Sequence, residues 1–73
     1  MLNMSMSEKI RIILIKRKMT ISSLASALGT SQGNLSNKLK RDNFSEKELE
    51  EIGNALNCDL ISNFKMRDTG EII

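Results

Sequence analysis

The sequence predicts a small, mainly α-helical domain that carries a short β-strand or hairpin at its C-terminal end. A chain of 73 residues suits a single domain, and it buries only about 60% of the surface that its unfolded form exposes. The composition has two Phe and no Trp, Tyr or Pro, so the core must be aliphatic and no proline interrupts a helix. Apolar residues recur three and four positions apart, the spacing that places them on one face of a helix.

The first predicted helix runs from Glu8 to about Lys18, with Ser7 as its N-cap, and residues 1–6 are expected to form a loose terminus. Its core-facing residues are Ile10, Ile13 and Leu14. Ile12 and Ile15 lie on another side at 100° per residue, so this helix is apolar on more than one side. Either the C-terminal segment or a second subunit is expected to cover that side.

The second and third predicted helices are short and are joined by a tight turn. Thr20 is a good N-cap, and Gly29 supplies the left-handed residue that ends the second helix. Ser31 caps the third helix, in which Leu35 and Leu39 form the apolar face. The rest of its surface is short, polar and uncharged, consisting of Gln32, Gly33, Asn34, Ser36 and Asn37. Gln, Asn and Ser are side chains that hydrogen-bond base edges, whereas a helix built for solubility usually carries Glu and Lys.

The fourth helix is predicted to open with a capping box, Ser45-Glu46-Lys47-Glu48, and to have Asn57 as its C-cap. Its buried stripe is Leu49, Ile52, Gly53 and Leu56. Gly53 on this stripe would either admit a neighbouring helix closely or simply weaken its own helix.

From Leu60 the periodicity changes to alternation, and a turn signal follows at Asp68-Thr69-Gly70. This pattern predicts a strand or small hairpin, with a partly disordered tail as the alternative. The chain is therefore divided into a helical part, residues 1–59, and a C-terminal segment of the same domain, residues 60–73.

Charge is distributed unevenly along the chain. Residues 9–41 carry eight basic residues and no acid, and the following residues carry eight acids against three bases, within a net charge of +2. The basic half contains the two short helices, as binding to nucleic-acid phosphates would require. The alternative is an accidental segregation of ordinary solvated charges. The acidic outer residues of the fourth helix, Glu46, Glu50 and Glu51, are expected to face away from such a partner.

Catalysis, cofactor binding and membrane insertion are not expected from this sequence. It has no His, a lone Cys58 that we expect to be a small buried hydrophobe, and no phosphate-cradling glycine loop or recognisable carboxylate pair. We therefore expect no enzyme activity, no metal and no small-molecule substrate. The first nine residues lack the basic and apolar regions of a signal peptide, and the apolar run Ile12–Ile15 is too short to span a bilayer, so a cytoplasmic location is expected.

The pattern M-T-x-x-x-L-A-x-x-L-G-T-S-Q-x-N-L-S, from Met19 to Ser36, resembles the helix-turn-helix of lambda-repressor-like (Cro/CI-type, XRE-family) DNA-binding proteins. In that family a small residue, a Ser or Thr cap and often a Gln follow the first helix of the motif, as residues 29–32 do here. The resemblance extends from about residue 10 to about residue 57. Ile21 departs from it where the family often has a phosphate-contacting Gln, and Gly33 departs from it where a base-reading side chain is frequent.

The resemblance implies a compact four-helix, lambda-repressor-like domain and a small transcriptional regulator of the repressor or Cro kind. The helix of residues 32–41 would enter the major groove of double-stranded DNA. The residues expected to read bases are Gln32, Asn37, Ser36 and Asn34, although Asn34 could instead serve the cap of its own helix. The residues expected to bind phosphates are Lys38, Lys40, Arg41, Asn43 and the backbone amide of Ser22 or Ser23.

A homodimer is expected, because one recognition helix reads only a few base pairs and a lone strand leaves unpaired backbone groups. The residues expected at its interface are Leu60, Phe64, Met66, Ile72, Ile12 and Ile15. The alternative function is a protein-interaction module, antitoxin-like or an adaptor, which uses this apolar surface on a helix-turn-helix scaffold.

Overall fold

The computed structural model describes residues 4–73, and these contain four α-helices: α1 Met6–Arg17, α2 Ile21–Leu28, α3 Gln32–Arg41 and α4 Glu46–Ala55. The prediction of a mainly helical, four-helix chain is confirmed. Residues 1–3 of the terminus expected to be loose lie outside the described residues, whereas Met6 already belongs to α1. None of these four helices combines the length and apolar character that crossing a membrane requires.

The start of α1 differs from the prediction by two residues. Its N-cap is Ser5, whose hydroxyl accepts a hydrogen bond from the N–H of Glu8 (3.1 Å). Ser7, predicted as the cap, is buried inside the first turn of the helix. Its hydroxyl donates to the backbone oxygen of Leu39 (2.7 Å), and its N–H donates to Oδ1 of Asp42 (2.8 Å). Ser7 therefore joins the first turn of α1 to the end of α3, and the carboxylate there complements the positive end of the α1 dipole.

The turn between α2 and α3 has the predicted chemistry. Thr20 and Ser23 form a reciprocal cap at the start of α2, because the N–H of each donates to the hydroxyl of the other (3.0 Å in both cases). Gly29 ends α2 in the left-handed conformation, with φ +73°. Ser31 caps α3 by accepting a hydrogen bond from the N–H of Asn34 (3.1 Å). These contacts fix the turn at both of its ends.

The start of α4 is the predicted capping box, in which Ser45 and Glu48 each accept a hydrogen bond from the backbone N–H of the other. The C-cap is Leu56, one residue before the predicted Asn57. Asn57 nevertheless adopts the left-handed conformation, with φ +57°, and so redirects the chain after the helix.

Gly53 admits a close contact, but with the chain that follows α4 rather than with a neighbouring helix. The N–H of Cys58 donates to the backbone oxygen of Gly53 (2.8 Å), so the chain folds back over the end of α4. A Cβ atom on Gly53 would lie 2.9 Å from the backbone oxygen of Cys58. Glycine is therefore required at this position by the way in which α4 ends.

All four helices contribute to one aliphatic core. Among residues 4–73 its buried apolar members are Ile10, Leu14, Leu24, Ala25, Leu35, Leu39, Ile52 and Leu56. Leu49 and Ile13, which were predicted to face this core, are half-buried at its edge. Cys58 was expected to be buried and is half-buried there as well.

The Arg17 side chain connects the end of α1 to the end of α4 by hydrogen bonds. Its Nε donates to the backbone oxygen of Leu56 (3.0 Å), and its Nη2 donates to that of Asn57 (3.1 Å). Carbonyl groups at the end of a helix lack partners within the helix, and a guanidinium is well suited to satisfy two of them at once.

The predicted C-terminal strand is wrong, since the structure has no strand within residues 4–73. Lys65 and Ile72 form one isolated antiparallel bridge. Phe64 and Ile73 exchange two hydrogen bonds beside it (2.8 Å each), and the N–H of Gly70 donates to the backbone oxygen of Met66 (2.9 Å) to close the turn. No ladder extends from this bridge, because the paired segments are only three residues long and do not pack on the core.

We refer to residues 61–73 as the C-terminal arm, and every one of them is exposed. Leu60, just before the arm, is half-buried in an apolar groove between α1 and α4. The Cα radius of gyration is 13.9 Å, against about 11 Å for a compact chain of this length, and the longest dimension is 44 Å against 22 Å for the other two. The arm therefore extends away from the helical core.

Candidate nucleic-acid interface

α3 presents an exposed face on the side opposite to the two leucines that anchor it. Leu35 and Leu39 are each 2% exposed, which fixes the rotation of the helix about its axis. At 100° per residue, Asn37 lies directly opposite them, and Gly33 and Arg41 lie one turn away on either side. All three are exposed. We call the surface defined by residues 33, 37 and 41 the α3 face.

The four residues predicted to read bases differ in position and in availability. Asn37 lies on the α3 face, Asn34 and Ser36 lie on its flanks, and Gln32 lies at the N-terminal end of α3, about 140° around the helix from Asn37. Gln32 and Asn37 are exposed, and their side chains make no hydrogen bond within the described part of the chain. Ser36 is half-buried on one flank. The side-chain amide of Asn34 donates to the Thr30 hydroxyl (3.4 Å), so Asn34 takes part in the turn before α3. Gln32 and Asn37 are thus the two amides that are most available to a ligand.

Positive charge lies at the C-terminal end of α3, next to the α3 face. Lys40 and Arg41 are exposed and form no salt bridge with another residue of 4–73. Asn43 is exposed in the loop that follows the helix. A phosphate would meet two cations and an amide at this end of α3.

Lys38, also predicted to bind phosphate, is paired with Glu48 of α4. Glu48 uses both of its oxygens, because Oε1 accepts the N–H of Ser45 in the capping box and Oε2 accepts the Lys38 ammonium. The side chains of the pair are 47% and 34% exposed, so the pair contributes about 0–1 kcal/mol to stability. That is little enough for Lys38 to exchange the carboxylate for a phosphate.

The start of α2 provides two exposed serines, of which one is already engaged. The N–H of Ser23 donates to the Thr20 hydroxyl (3.0 Å), and its own hydroxyl donates to the Thr20 backbone oxygen (2.9 Å). The N–H of Ser22 makes no hydrogen bond to any described residue, so it is the better placed of the two amides. Ile21 is half-buried and packs against the core, so it cannot replace a phosphate-binding Gln.

Large apolar side chains are exposed in two other places, on α1 and on the C-terminal arm. Of the residues predicted to form a dimer interface, Phe64 is 82% exposed and Ile15 is 78% exposed. Ile12, Met66 and Ile72 are also exposed, whereas Leu60 packs against its own helices. Within residues 4–73, no three potential metal ligands lie together.

Two contacts that shape the basic half could not be predicted from the sequence. Arg17 contacts backbone oxygens about 40 positions further along the chain, and Lys38 contacts a carboxylate ten positions away on another helix. Neither spacing belongs to a local pattern such as the i, i+4 pair of a single helix, so no periodicity could reveal them. Of the eight cations in this half, the exposed ones outside these two contacts are Lys9, Arg11, Lys16, Lys18, Lys40 and Arg41.

Two short helices joined by a capped turn, the second with an exposed polar face and a basic end, define a helix-turn-helix DNA-binding domain. Comparison with protein-family models agrees, since residues 9–62 match the Cro/C1-type HTH DNA-binding domain. Because the match covers most of the chain, the protein belongs to this family, and the resemblance seen in the sequence is confirmed. Comparison with curated proteins and with solved structures found no match.

Proposed function

We propose that this protein is a small transcriptional regulator that binds specific sequences of double-stranded DNA by inserting α3 into the major groove. The observation that carries this proposal is the α3 face, which is exposed, uncharged at Asn37 and basic at its end. A helix of ten residues is about 15 Å long, and the major groove, about 12 Å wide, admits one α-helix. Membership in a DNA-binding family supports this function over catalysis.

Base reading is assigned first to Asn37 and Gln32. A side-chain amide offers a donor and an acceptor together, which matches the N6 and N7 atoms of adenine in the major groove. Ser36 and Asn34 flank the α3 face and take a secondary part, since one is half-buried and the other is held by Thr30.

Phosphate binding is assigned to Arg41 on the α3 face and to polar groups near that face. These groups are Lys40, Asn43, the backbone amide of Ser22, and Lys38 once it has released Glu48, while Ser23 supports the start of α2. These contacts fix the position of α3 on the duplex without reading its sequence. Regulation then follows from occupancy, as in a repressor or Cro-like protein, because bound protein excludes other proteins from the site.

We also infer that the working unit is a homodimer, in which residues 60–73 form much of the interface together with Ile12 and Ile15. The exposed apolar side chains of the C-terminal arm support this inference. The same exposure would serve a protein-interaction module of the antitoxin or adaptor kind, in which DNA binding is secondary. Binding to DNA distinguishes the two functions, because an interaction module alone has no need of it.

The experiment that tests DNA binding is a fluorescence-anisotropy titration of a labelled duplex at several salt concentrations. If Lys38, Lys40 and Arg41 together with one to three of the other exposed cations of residues 9–41 neutralise phosphates, the slope of log K against log salt concentration is about −3.6 to −5.4 per subunit. Arg41→Ala should make the slope less steep by about 0.9. The matched control is Lys47→Ala, which removes a cation from the acidic side of α4 and should leave the slope unchanged. A flat plot, or no binding at about 50 mM salt, would refute the proposed function.

A further inference from the structure

The four glycines of the chain differ in what the fold requires of them. Gly29 and Gly70 have positive φ values of +73° and +77°, a conformation that side chains rarely tolerate. Gly53 has no room for a Cβ beside the backbone oxygen of Cys58. Gly33 has neither property, since its φ is not positive and, apart from its chain neighbours and the backbone of its own helix, no heavy atom of residues 4–73 lies within 4 Å of where a Cβ would be. The fold therefore gives no reason for glycine at position 33.

This glycine carries a cost within the chain. Replacing a glycine by alanine where the backbone is compatible stabilises a protein, chiefly because the unfolded chain has fewer conformations to lose. Position 33 lies in the first turn of α3, on the α3 face, one helical turn before Asn37. The described fold gives no reason for the missing side chain, and its position lies on the α3 face, where a ligand would make contact.

We propose that Gly33 determines DNA-binding specificity by letting the backbone of α3 contact the edge of a base pair, which brings Asn37 within reach of its own base. This inference rests on the proposed function and names a further residue of the same site. Asn has a short side chain, so it can pair with a base edge only if its helix lies deep in the groove. A base-reading side chain at position 33, which the family frequently has, occupies the space next to the bases and holds the helix at a distance that the short Asn37 side chain cannot bridge. Glycine at position 33 is the residue that removes this obstacle.

The test compares Gly33→Ala and Gly33→Leu with the unmodified protein, after selection of the preferred site from random duplexes. Both variants should fold, and Gly33→Ala should melt about 2–8 °C higher than the unmodified protein. On the selected duplex Gly33→Ala should lose about tenfold in affinity, and Gly33→Leu should fall to the affinity for random duplex. Affinity for random duplex should change by less than about twofold, because phosphate contacts do not require the closest approach.

A double substitution tests the link to Asn37. If Gly33 acts by placing Asn37, then Gly33→Ala combined with Asn37→Ala should bind little worse than Asn37→Ala alone. The control is Asn54→Ala, on the exposed side of α4. This change also favours helix formation but leaves the α3 face unaltered. The affinity of this variant for the selected duplex should equal that of the unmodified protein.

Two outcomes would overturn the inference, and they are distinguishable. If Gly33→Ala bound the selected duplex as tightly as the unmodified protein while Asn37→Ala did not, close approach at position 33 would be wrong and DNA reading by α3 would stand. If the unmodified protein selected no sequence at all, the proposed function would fail together with this inference.

Discussion

At the scale of single residues, the proposed function divides the exposed side chains of α3 into those that read sequence and those that only bind phosphate. Asn37→Ala and Gln32→Ala should each weaken binding to the preferred duplex by about 1–3 kcal/mol, because each removes a bidentate amide contact to a base. Each should also relax the preference at one base pair. Lys40→Ala should weaken binding to all duplexes alike, since it removes a phosphate contact. Anisotropy titrations on the preferred and a scrambled duplex measure both effects.

Lys38 provides a matched comparison for Lys40, because both are lysines on α3 and, of the two, only Lys38 has a partner among residues 4–73. Binding a phosphate with Lys38 requires release from Glu48, so Lys38→Ala should cost less affinity than Lys40→Ala. If Asn37→Ala, Gln32→Ala and Lys40→Ala each lost the same affinity on the preferred duplex as on the scrambled duplex, the division into base-reading and phosphate-binding residues would be wrong.

The sequence indicated the helix and the face on which these residues lie, but not how available each one is. Leu35 and Leu39 fix the rotation of α3, and their spacing is visible in the sequence. The engagement of Asn34 by Thr30 lies within one turn and was an open alternative from the capping pattern. The pairing of Lys38 depends on how α3 and α4 approach each other, which no local pattern encodes.

At the scale of helices, the best-predicted features are those set by neighbouring residues. The caps at Thr20, Ser31 and Ser45 each bond within three residues, so the sequence alone specifies them. The start of α1 was mispredicted because Ser5 and Ser7 are both capable caps. The choice between them depends on Asp42, 35 residues away, which takes the N–H of Ser7.

The end of α4 gives a prediction of its own. Gly53→Ala should destabilise the domain by about 1–3 kcal/mol, because the new Cβ would lie 2.9 Å from the backbone oxygen of Cys58 and that segment must shift. Thermal unfolding followed by circular dichroism at 222 nm would measure this as a lower Tm. Gly33→Ala is the same chemical change at an open helical position and should raise Tm instead. If Gly53→Ala left Tm unchanged or raised it, as Gly33→Ala should, the close contact at the end of α4 would not limit residue 53.

At the scale of the whole molecule, apolar surface remains that one copy of the chain does not bury. Alternation after Leu60 led to the prediction of a strand, yet the structure shows a single bridge in an arm that no helix covers. The large side chains exposed there and on α1 are Ile61, Phe64, Met66, Ile72, Ile73, Ile12 and Ile15. A second copy could bury both surfaces at once, and two-fold symmetry would pair the unsatisfied backbone groups of the two arms.

Dimerisation through the C-terminal arm is therefore expected, and a dimer would provide the two recognition helices that two DNA half-sites require. Sedimentation equilibrium should give a dimer for the full chain at tens of micromolar and a monomer for a chain that ends at Asp59. Phe64→Glu should also give a monomer, because it places a charge in the apolar interface without removing the arm. The control is Lys47→Ala on α4, which should remain dimeric. If the full chain were monomeric, or the shortened chain fully dimeric, the arm would have no part in assembly, and specificity would have to come from a single α3 helix.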